Sequence, residues 1–150
     1  LLDGKRIFTE NSFDFKVETV GVYENIELVK MGCTIMIDKI TKFEKSLSLN
    51  AVKIEQSKTT VDNSFDITLE NEDYTIGKVI EYILHNEYYL SSDRVLNYVG
   101  FIKMHPHDTD SIIRISFHQQ ENFTDENIRS IISYVCQTGI NIFTNLKEYF

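Results

Sequence analysis

Hydrophobic residues recur along this 150-residue chain with two different periods, and each period predicts one kind of element. Two long stretches, residues 22–47 and 124–149, place an apolar residue every three or four positions. That spacing is typical of a helix with one apolar face. Several shorter stretches alternate apolar and polar residues, which predicts half-buried strands. Each long helix must bury its apolar face against another element, because a helix of this kind is not stable alone.

The first long helix is predicted to follow a strand. Phe13, Phe15 and Val17 alternate with polar residues, and Gly21 ends this stretch. Residues 1–11 have a mixed pattern and are expected to be a strand remnant or a loose end. The chain begins without features of a signal peptide, and we expect a C-terminal fragment of a longer protein. The helix that follows is expected to carry the apolar face Ile26, Val29, Cys33, Met36, Ile37, Ile40, Phe43 and Leu47.

From Leu49 onwards the pattern predicts two strands, a helix, two further strands and the second long helix. Asp73 or Thr75 is expected to cap the shorter helix, because either side-chain oxygen can accept from a free amide of the first turn. Gly77 lies in that first turn. A helical Gly costs about 1 kcal/mol relative to Ala, so we expect a close backbone approach there. The strands are expected at residues 52–55, 65–69, 95–104 and 111–118, with a turn at 57–64 and a loop at 86–94.

The second long helix is predicted to start after Thr124, whose hydroxyl is suited to capping. Its apolar stripe is expected to comprise Ile128, Ile131, Ile132, Val135, Cys136, Gly139, Ile142, Phe143 and Leu146. The order of elements therefore predicts an α+β fold, in which an antiparallel sheet packs with two long helices.

Composition and charge narrow the range of functions. The chain is 42% hydrophobic and 25% charged, as in globular proteins, and its net charge is −8. That charge argues against broad contact with nucleic acid, which requires Lys and Arg to neutralise phosphates. No apolar run approaches the roughly 18 residues of a membrane span. Cys33 and Cys136 both fall in apolar helical patterns, so we expect buried, reduced thiols of an intracellular protein.

The densest group of potential metal ligands is His105-Pro106-His107-Asp108. Two His and an Asp can bind zinc or iron when a further ligand joins them. The two His are not four positions apart, however, and no Cys is nearby, which favours a structured turn. A small metal-dependent enzyme using His105, His107 and Asp108 remains an alternative. The sequence has no phosphate-binding glycine motif and no nucleophile elbow, so we expect neither catalytic residues nor a cofactor.

A motif before the shorter helix resembles a known family. Glu72-Asp73-Tyr74-Thr75-Ile76-Gly77 resembles the signature of the eleventh-subunit family of eukaryotic RNA polymerase II. The archaeal counterpart of that subunit and the bacterial alpha dimerisation domain belong to the same group. The family pattern reads Glu-Asp-His-Thr-Leu-Gly, so Tyr74 and Ile76 depart from it. Asp73, Thr75 and Gly77 match.

The following strand extends this resemblance. Val99 to Pro106 is similar to the family's Ala-Gly-Tyr strand and its His-Pro turn, with Gly100, His105 and Pro106 at the matching positions. The next strand and the C-terminal helix correspond to those of the family, while the loop at 86–94 is a few residues longer. The resemblance covers the chain from about residue 49 to its end.

The first part of the chain has a resemblance of its own. Phe13 to Gly21 followed by a long helix resembles the C-terminal end of the third-subunit family, which also has an archaeal counterpart. The two parts in series resemble the fused third/eleventh RNA polymerase subunit of a large DNA virus of the African swine fever virus type. This implies two modules, residues 1–48 from the third-subunit-like part and residues 49–150 from the eleventh-subunit-like part.

The resemblance implies the alpha-like dimerisation fold and a non-catalytic assembly role in a DNA-directed RNA polymerase. Paired alpha-like modules, within or between chains, would form the platform for the two large catalytic subunits, with small assembly subunits as further partners. A viral origin implies the host cytoplasm, its viral factories and the virion. A generic oligomerisation or adaptor domain remains an alternative. The expected interface consists of Ile26, Val29, Cys33, Ile37, Ile40, Ile128, Ile131, Ile132, Val135, Ile142 and Phe143.

Overall fold

The computed structural model describes residues 7, 12–59, 61–118 and 124–150. The fold is α+β, as predicted. It contains helices α1 (Asn25–Ser48), α2 (Tyr74–Leu84) and α3 (Asp125–Tyr149). The described residues form four strands, β1 (Ile54–Gln56), β2 (Ser64–Leu69), β3 (Leu96–Ile102) and β4 (Ser111–Phe117). The strands form one antiparallel sheet in the order β1-β2-β4-β3.

The register of the sheet separates an apolar face from a polar one. Ile54, Ile67, Ile113 and Phe101 lie in one row across the four strands. This row belongs to the face that the helices cover, and the core joins it to buried residues of all three helices. The alternation of the strand sequences, with period two, is the cause of this separation. The sheet therefore has one face in the core and one facing away from the helices.

Both predicted caps form. The Asp73 carboxylate accepts a hydrogen bond from the Thr75 amide at 3.0 Å, and the Thr124 hydroxyl accepts from the Asn127 amide at 3.3 Å. The hydrogen bond from Thr75 holds the pKa of Asp73 below its usual value. Helix α1 starts with a capping box between Glu24 and Glu27, which sequence analysis did not foresee. A capping box satisfies amides of the first turn that have no partner within the helix.

The predicted strand at Phe13, Phe15 and Val17 is wrong for this structure. Residues 12–20 have no regular secondary structure and belong to no sheet, and Phe13 and Phe15 are 71% and 88% exposed. Period-two alternation indicates which side of a strand is apolar, but a strand also needs a neighbour to share its backbone hydrogen bonds. No described strand pairs with this segment. The prediction for residues 1–11 lies outside the described residues, apart from the exposed Ile7.

The predicted loop at 86–94 is also wrong in its first half. Residues His85–Tyr89 continue α2 as a π-helical turn, in which the Leu90 amide donates to the His85 carbonyl at 2.9 Å. Tyr88 packs against the core, and its ring meets Tyr134 of α3 edge-on at 6.2 Å. Burial of this ring favours a continued helix over a loop and raises the pKa of Tyr88.

Candidate functional site

The dominant packing relationship outside the sheet is between the two long helices. Glu44 accepts a hydrogen bond from Ser133 at 3.3 Å and another from Gln137. Arg129 donates to the Leu47 carbonyl at 3.3 Å. Later residues of α3 thus pair with earlier residues of α1, so the two helices run antiparallel. At 1.5 Å per residue each helix is roughly 36 Å long.

A small residue lets the two helices and α2 meet. A Cβ at Gly139 would stand 3.2 Å from Ile40 of α1 and 3.4 Å from Ile83 of α2. All three positions are buried. Ile40 therefore packs between the two long helices at the place where α2 reaches them, which ties α1 to the core of residues 49–150.

The sheet and α2 cover only half of this helix pair. From α1, the central core contains Ile40, Phe43 and Leu47, all from its C-terminal half. The fully buried α3 residues of that core, Ile128, Ile132, Val135 and Cys136, all come from its N-terminal half. Because the helices are antiparallel, these two halves lie side by side. Most of the other two halves extends beyond the described sheet, although Ile140 and Phe143 of α3 still pack against the core.

On these uncovered halves the apolar stripes continue. Ile142 and Tyr149 lie seven and fourteen positions after Val135, so they occupy the same face of α3. In α1, Met36 lies seven positions before Phe43 and so on the same face, whereas Ile35, eight positions before Phe43, lies on the flank of that face. Ile35 and Ile142 are 53% and 47% exposed. We call this surface the bare face; its residues are Leu28, Val29, Ile35 and Met36 of α1 and Ile142, Leu146, Tyr149 and Phe150 of α3.

The structure divides the predicted interface residues into three groups by their burial. Ile40, Ile128, Ile132 and Val135 are buried in the core of this chain, and Cys33 is buried in α1 outside that core. Ile26 and Ile142 are exposed, while the remaining four, Val29, Ile37, Ile131 and Phe143, are partly buried. The buried residues join α1 to α3 within the chain. A role for any of these residues between chains stays a prediction.

The predicted apolar face of α1 omits a second apolar stripe. Its residues are Leu28, Met31 and Ile35, of which Met31 and Ile35 are 41% and 53% exposed. Their signal was present in the sequence, because residues 26–37 are apolar on more than one side of the helix. Such a segment is typical of a helix buried from several directions.

The family-motif positions have clear structural roles. Gly77 is buried, and a Cβ built there would overlap the ring of Phe101 on β3, which confirms the expected close approach. The Phe101 ring also meets Tyr74 edge-on at 5.1 Å. Glu81 of α2 accepts a hydrogen bond from the Phe101 amide at 3.1 Å and pairs with Lys78 at 2.6 Å. The motif therefore fixes α2 against β3. Gly100 lies on the opposite face of the sheet, beneath the ring of Tyr98.

The other face of the sheet carries an ion pair that sequence analysis did not predict. Arg114 donates two hydrogen bonds to Asp66, at 2.6 and 2.7 Å, and Ser57 donates a third. Burial raises the pKa of Asp66, but these hydrogen bonds outweigh it and hold that pKa below the ordinary value of 3.8. The hydrogen bonds from Arg114 to Asp66 raise the pKa of Arg114. Pairing of β2 with β4 brings these residues together, and one sequence alone does not give that register.

The His105–Asp108 segment forms a structured turn between β3 and β4, as expected. The Asp108 carboxylate accepts from the His105 amide at 2.9 Å, and the His105 Nδ1 atom accepts from the His107 amide at 3.2 Å. These polar atoms stabilise the turn itself. Among the described residues, no group of three or more His, Cys, Asp or Glu is placed to hold a metal ion.

The two cysteines are free and buried, as predicted. Burial, with a smaller contribution from Glu44, raises the pKa of Cys136 to about 12. None of the described helices is long and apolar enough to cross a membrane. Comparison of the sequence with protein-family models and with curated proteins finds no match. The polymerase resemblance and the division at residue 48 therefore stay predictions.

Proposed function

We propose that this chain is a non-catalytic assembly subunit of a multisubunit DNA-directed RNA polymerase. In this role its helix pair joins two alpha-like modules and holds the two large catalytic subunits on the resulting platform. The observation that carries the proposal is the half-covered helix pair. The sheet packs against one half of α1 and of α3, and the apolar stripes continue along the other half of each helix.

The arrangement of residues 54–149 supports the alpha-like fold. Two strands, a short helix, two strands and a long helix follow one another in the order that the motif resemblance implies. The positions that match the family motif have structural roles in this chain. Asp73 caps α2, and Gly77 admits the Phe101 ring.

An approximate internal symmetry supports the pairing of two modules. Residues 13–18 alternate apolar and polar side chains and are followed, after residues 19–24, by α1. Strand β4 is followed, after residues 118–124, by α3. Two antiparallel helices are related by a local two-fold axis, and that axis would carry the present sheet onto the bare face. A second sheet, containing residues 13–18 as a strand, would then cover Ile35 and Ile142.

The apolar character of the bare face fits an assembly role. Obligate interfaces are large and resemble a protein core. The proposal includes the further partners that the resemblance implies, namely small assembly subunits, and a viral polymerase acting in the host cytoplasm and packaged in the virion. The chemistry of RNA synthesis would belong to the large subunits.

The test is isolation of the tagged chain from the cells in which it is naturally made. We expect the two large polymerase subunits in equal amounts with the tagged chain, identified by mass spectrometry, and RNA synthesis by the complex. Ile142→Glu should reduce recovery of these subunits, since it places a charge in the apolar interface. Asn141→Glu is the matched control, because Asn141 is an exposed neighbour outside the bare face.

Two outcomes would overturn the proposal. A complex that depends on Ile142 but contains no polymerase subunit would favour the generic adaptor. Recovery of the polymerase subunits to the same extent with both variants would mean that the bare face is not the assembly surface.

A further inference from the structure

In the described part of the chain, strand β3 has a neighbouring strand on one side alone, where it pairs with β4. The Phe101 amide points away from β4, because it donates to Glu81 of α2 at 3.1 Å. Backbone groups of an antiparallel strand alternate in direction, so Val99, two positions earlier, also turns its amide and carbonyl outwards. Among the described residues, neither of these two groups of Val99 has a hydrogen-bond partner.

A groove lies beside this outer edge of the sheet. Its walls are Lys78, Glu81, Tyr82 and His85 of α2 on one side and Val99 of β3 on the other. Its volume of about 420 Å³ is within the range of clefts that hold ligands. Tyr82 is 66% exposed at this groove. The groove therefore places side-chain surface next to backbone groups that can still pair.

The side chain of Glu81 stands where part of a further strand would bind. Its carboxylate accepts the outward Phe101 amide, which is the role that a carbonyl group of an added strand would have. Lys78 neutralises that carboxylate at 2.6 Å. One outward amide of the edge is therefore satisfied by a side chain, whereas the outward groups of Val99 are open to a partner.

The charges around the edge indicate the kind of partner. Residues 94–107 contain Arg94 and Lys103 but no Asp or Glu, although the chain has 23 acidic residues. Neither cation forms an ion pair with any described residue. They flank the two ends of β3, which spans Leu96–Ile102. Acidic residues at the ends of a bound strand would therefore each meet a cation, and such complementarity selects partners.

We propose that the outer edge of β3 binds an extended segment of a partner protein, which adds a further strand to the sheet. The backbone of this segment pairs with Val99, alternate apolar side chains enter the groove beside α2, and acidic ends meet Arg94 and Lys103. In strand addition, main-chain hydrogen bonds supply affinity and pockets for alternate side chains supply specificity. The inference goes beyond the proposed function, since this surface shares no residue with the bare face.

The experiment is titration of a fluorescently labelled short peptide with the whole chain, followed by fluorescence anisotropy. The peptide alternates valine with threonine and has glutamates at both ends. We expect saturable binding, and much weaker binding when lysines replace the glutamates. Val99→Pro should weaken binding about tenfold, because it removes the outward amide but no hydrogen bond to β4. Val99→Thr is the matched control, since it keeps the amide and the branched shape, and it should bind nearly as the unchanged chain does.

Glu81→Ala is the second variant, and it should act in the opposite direction. It removes the acceptor that occupies the Phe101 amide, together with a negative charge beside the acidic peptide, so binding should become tighter. Loss of structure could not produce tighter binding, so this variant decides the matter even if Val99→Pro does not fold. Far-ultraviolet circular dichroism verifies the fold of each variant.

Absence of binding by the acidic peptide would overturn the proposal, and Glu81 would then only protect the edge of the sheet from pairing. Equal binding of the lysine peptide would contradict the charge assigned to the partner. Equal binding by a folded Val99→Pro variant would show that backbone pairing at this edge is not involved. The recovery of polymerase subunits tests the bare face separately, so each proposal can fail without the other.

Discussion

The ring of Phe101 occupies the space in which a side chain at Gly77 would have to stand. This contact joins the first turn of α2 to strand β3. Glu81, one turn further along the helix, accepts the Phe101 amide hydrogen at 3.1 Å. β3 is an outer strand of the sheet. Helix α2 therefore contacts both the side-chain ring and the backbone amide of Phe101 on β3.

Gly77→Ala should destabilise the protein, although alanine is the better helix former by about 1 kcal/mol. The added methyl group must displace the Phe101 ring, and overpacking of this kind costs about 1–3 kcal/mol. Urea unfolding at neutral pH measures the difference. Gly32→Ala is the matched control, because a Cβ at this helical Gly meets nothing within 4 Å, and it should be neutral or stabilising. Equal effects at the two positions would contradict the role assigned to Phe101.

The covered and bare halves of α3 should respond differently to the same truncation. Ile132 is 0% exposed in the core, whereas Ile142 is 47% exposed on the bare face. We expect Ile132→Ala to lower the free energy of unfolding by about 2–5 kcal/mol and Ile142→Ala to lower it by much less. Urea titration of the monomeric chain tests this. Similar losses would mean that something already covers the end of α3.

The Asp66–Arg114 pair predicts a dependence of stability on pH. The pKa of Asp66 is lower in the folded protein than its ordinary value of 3.8, so below neutral pH the unfolded chain binds more protons at this group. Its contribution is therefore complete well above pH 3.8 and is lost as the pH falls through the folded-state pKa. Asp66→Asn should cost about 1 kcal/mol at neutral pH, since Arg114 loses a charged partner.

The urea midpoint of the Asp66→Asn variant should approach that of the unchanged chain as the pH falls below 3.8. Glu55→Gln is the control, because Glu55 pairs with Lys53 in an exposed position and such pairs contribute little. A difference between Asp66→Asn and the unchanged chain that stays constant across this pH range would show that charge at Asp66 is not the cause.

Much of the fold follows from local patterns in the sequence. The two long helices and the strands from β1 to β4 were predictable because each buries a face with a regular period. The caps at Asp73 and Thr124 were predictable because a single side chain satisfies the amides of the first turn. The cost of Gly77 in a helix indicated a close approach before its partner, Phe101, was known.

What could not be predicted depends on partners that are distant in the sequence. Phe13 and Phe15 have the alternation of a strand, but no described strand lies beside them. The π-helical turn depends on the burial of Tyr88 against Tyr134. The Asp66–Arg114 pair requires the register of β2 and β4. The length of helix that the sheet covers is likewise a tertiary property, so the sequence indicated the apolar stripes but not the bare face.

The two cysteines should differ in reactivity, because they lie on differently supported parts of the helix pair. Cys136 is in the covered core, and its pKa of about 12 leaves almost no reactive thiolate near neutral pH. Cys33 is buried in α1, but outside that core. Local opening requires less free energy where fewer buried contacts must break. We expect a thiol reagent at pH 8 to label Cys33 first and Cys136 only on global unfolding, as followed by mass spectrometry. Denatured chain, in which both should react quickly, is the control, and faster labelling of Cys136 would contradict the view that the sheet stabilises only its own half of the helix pair.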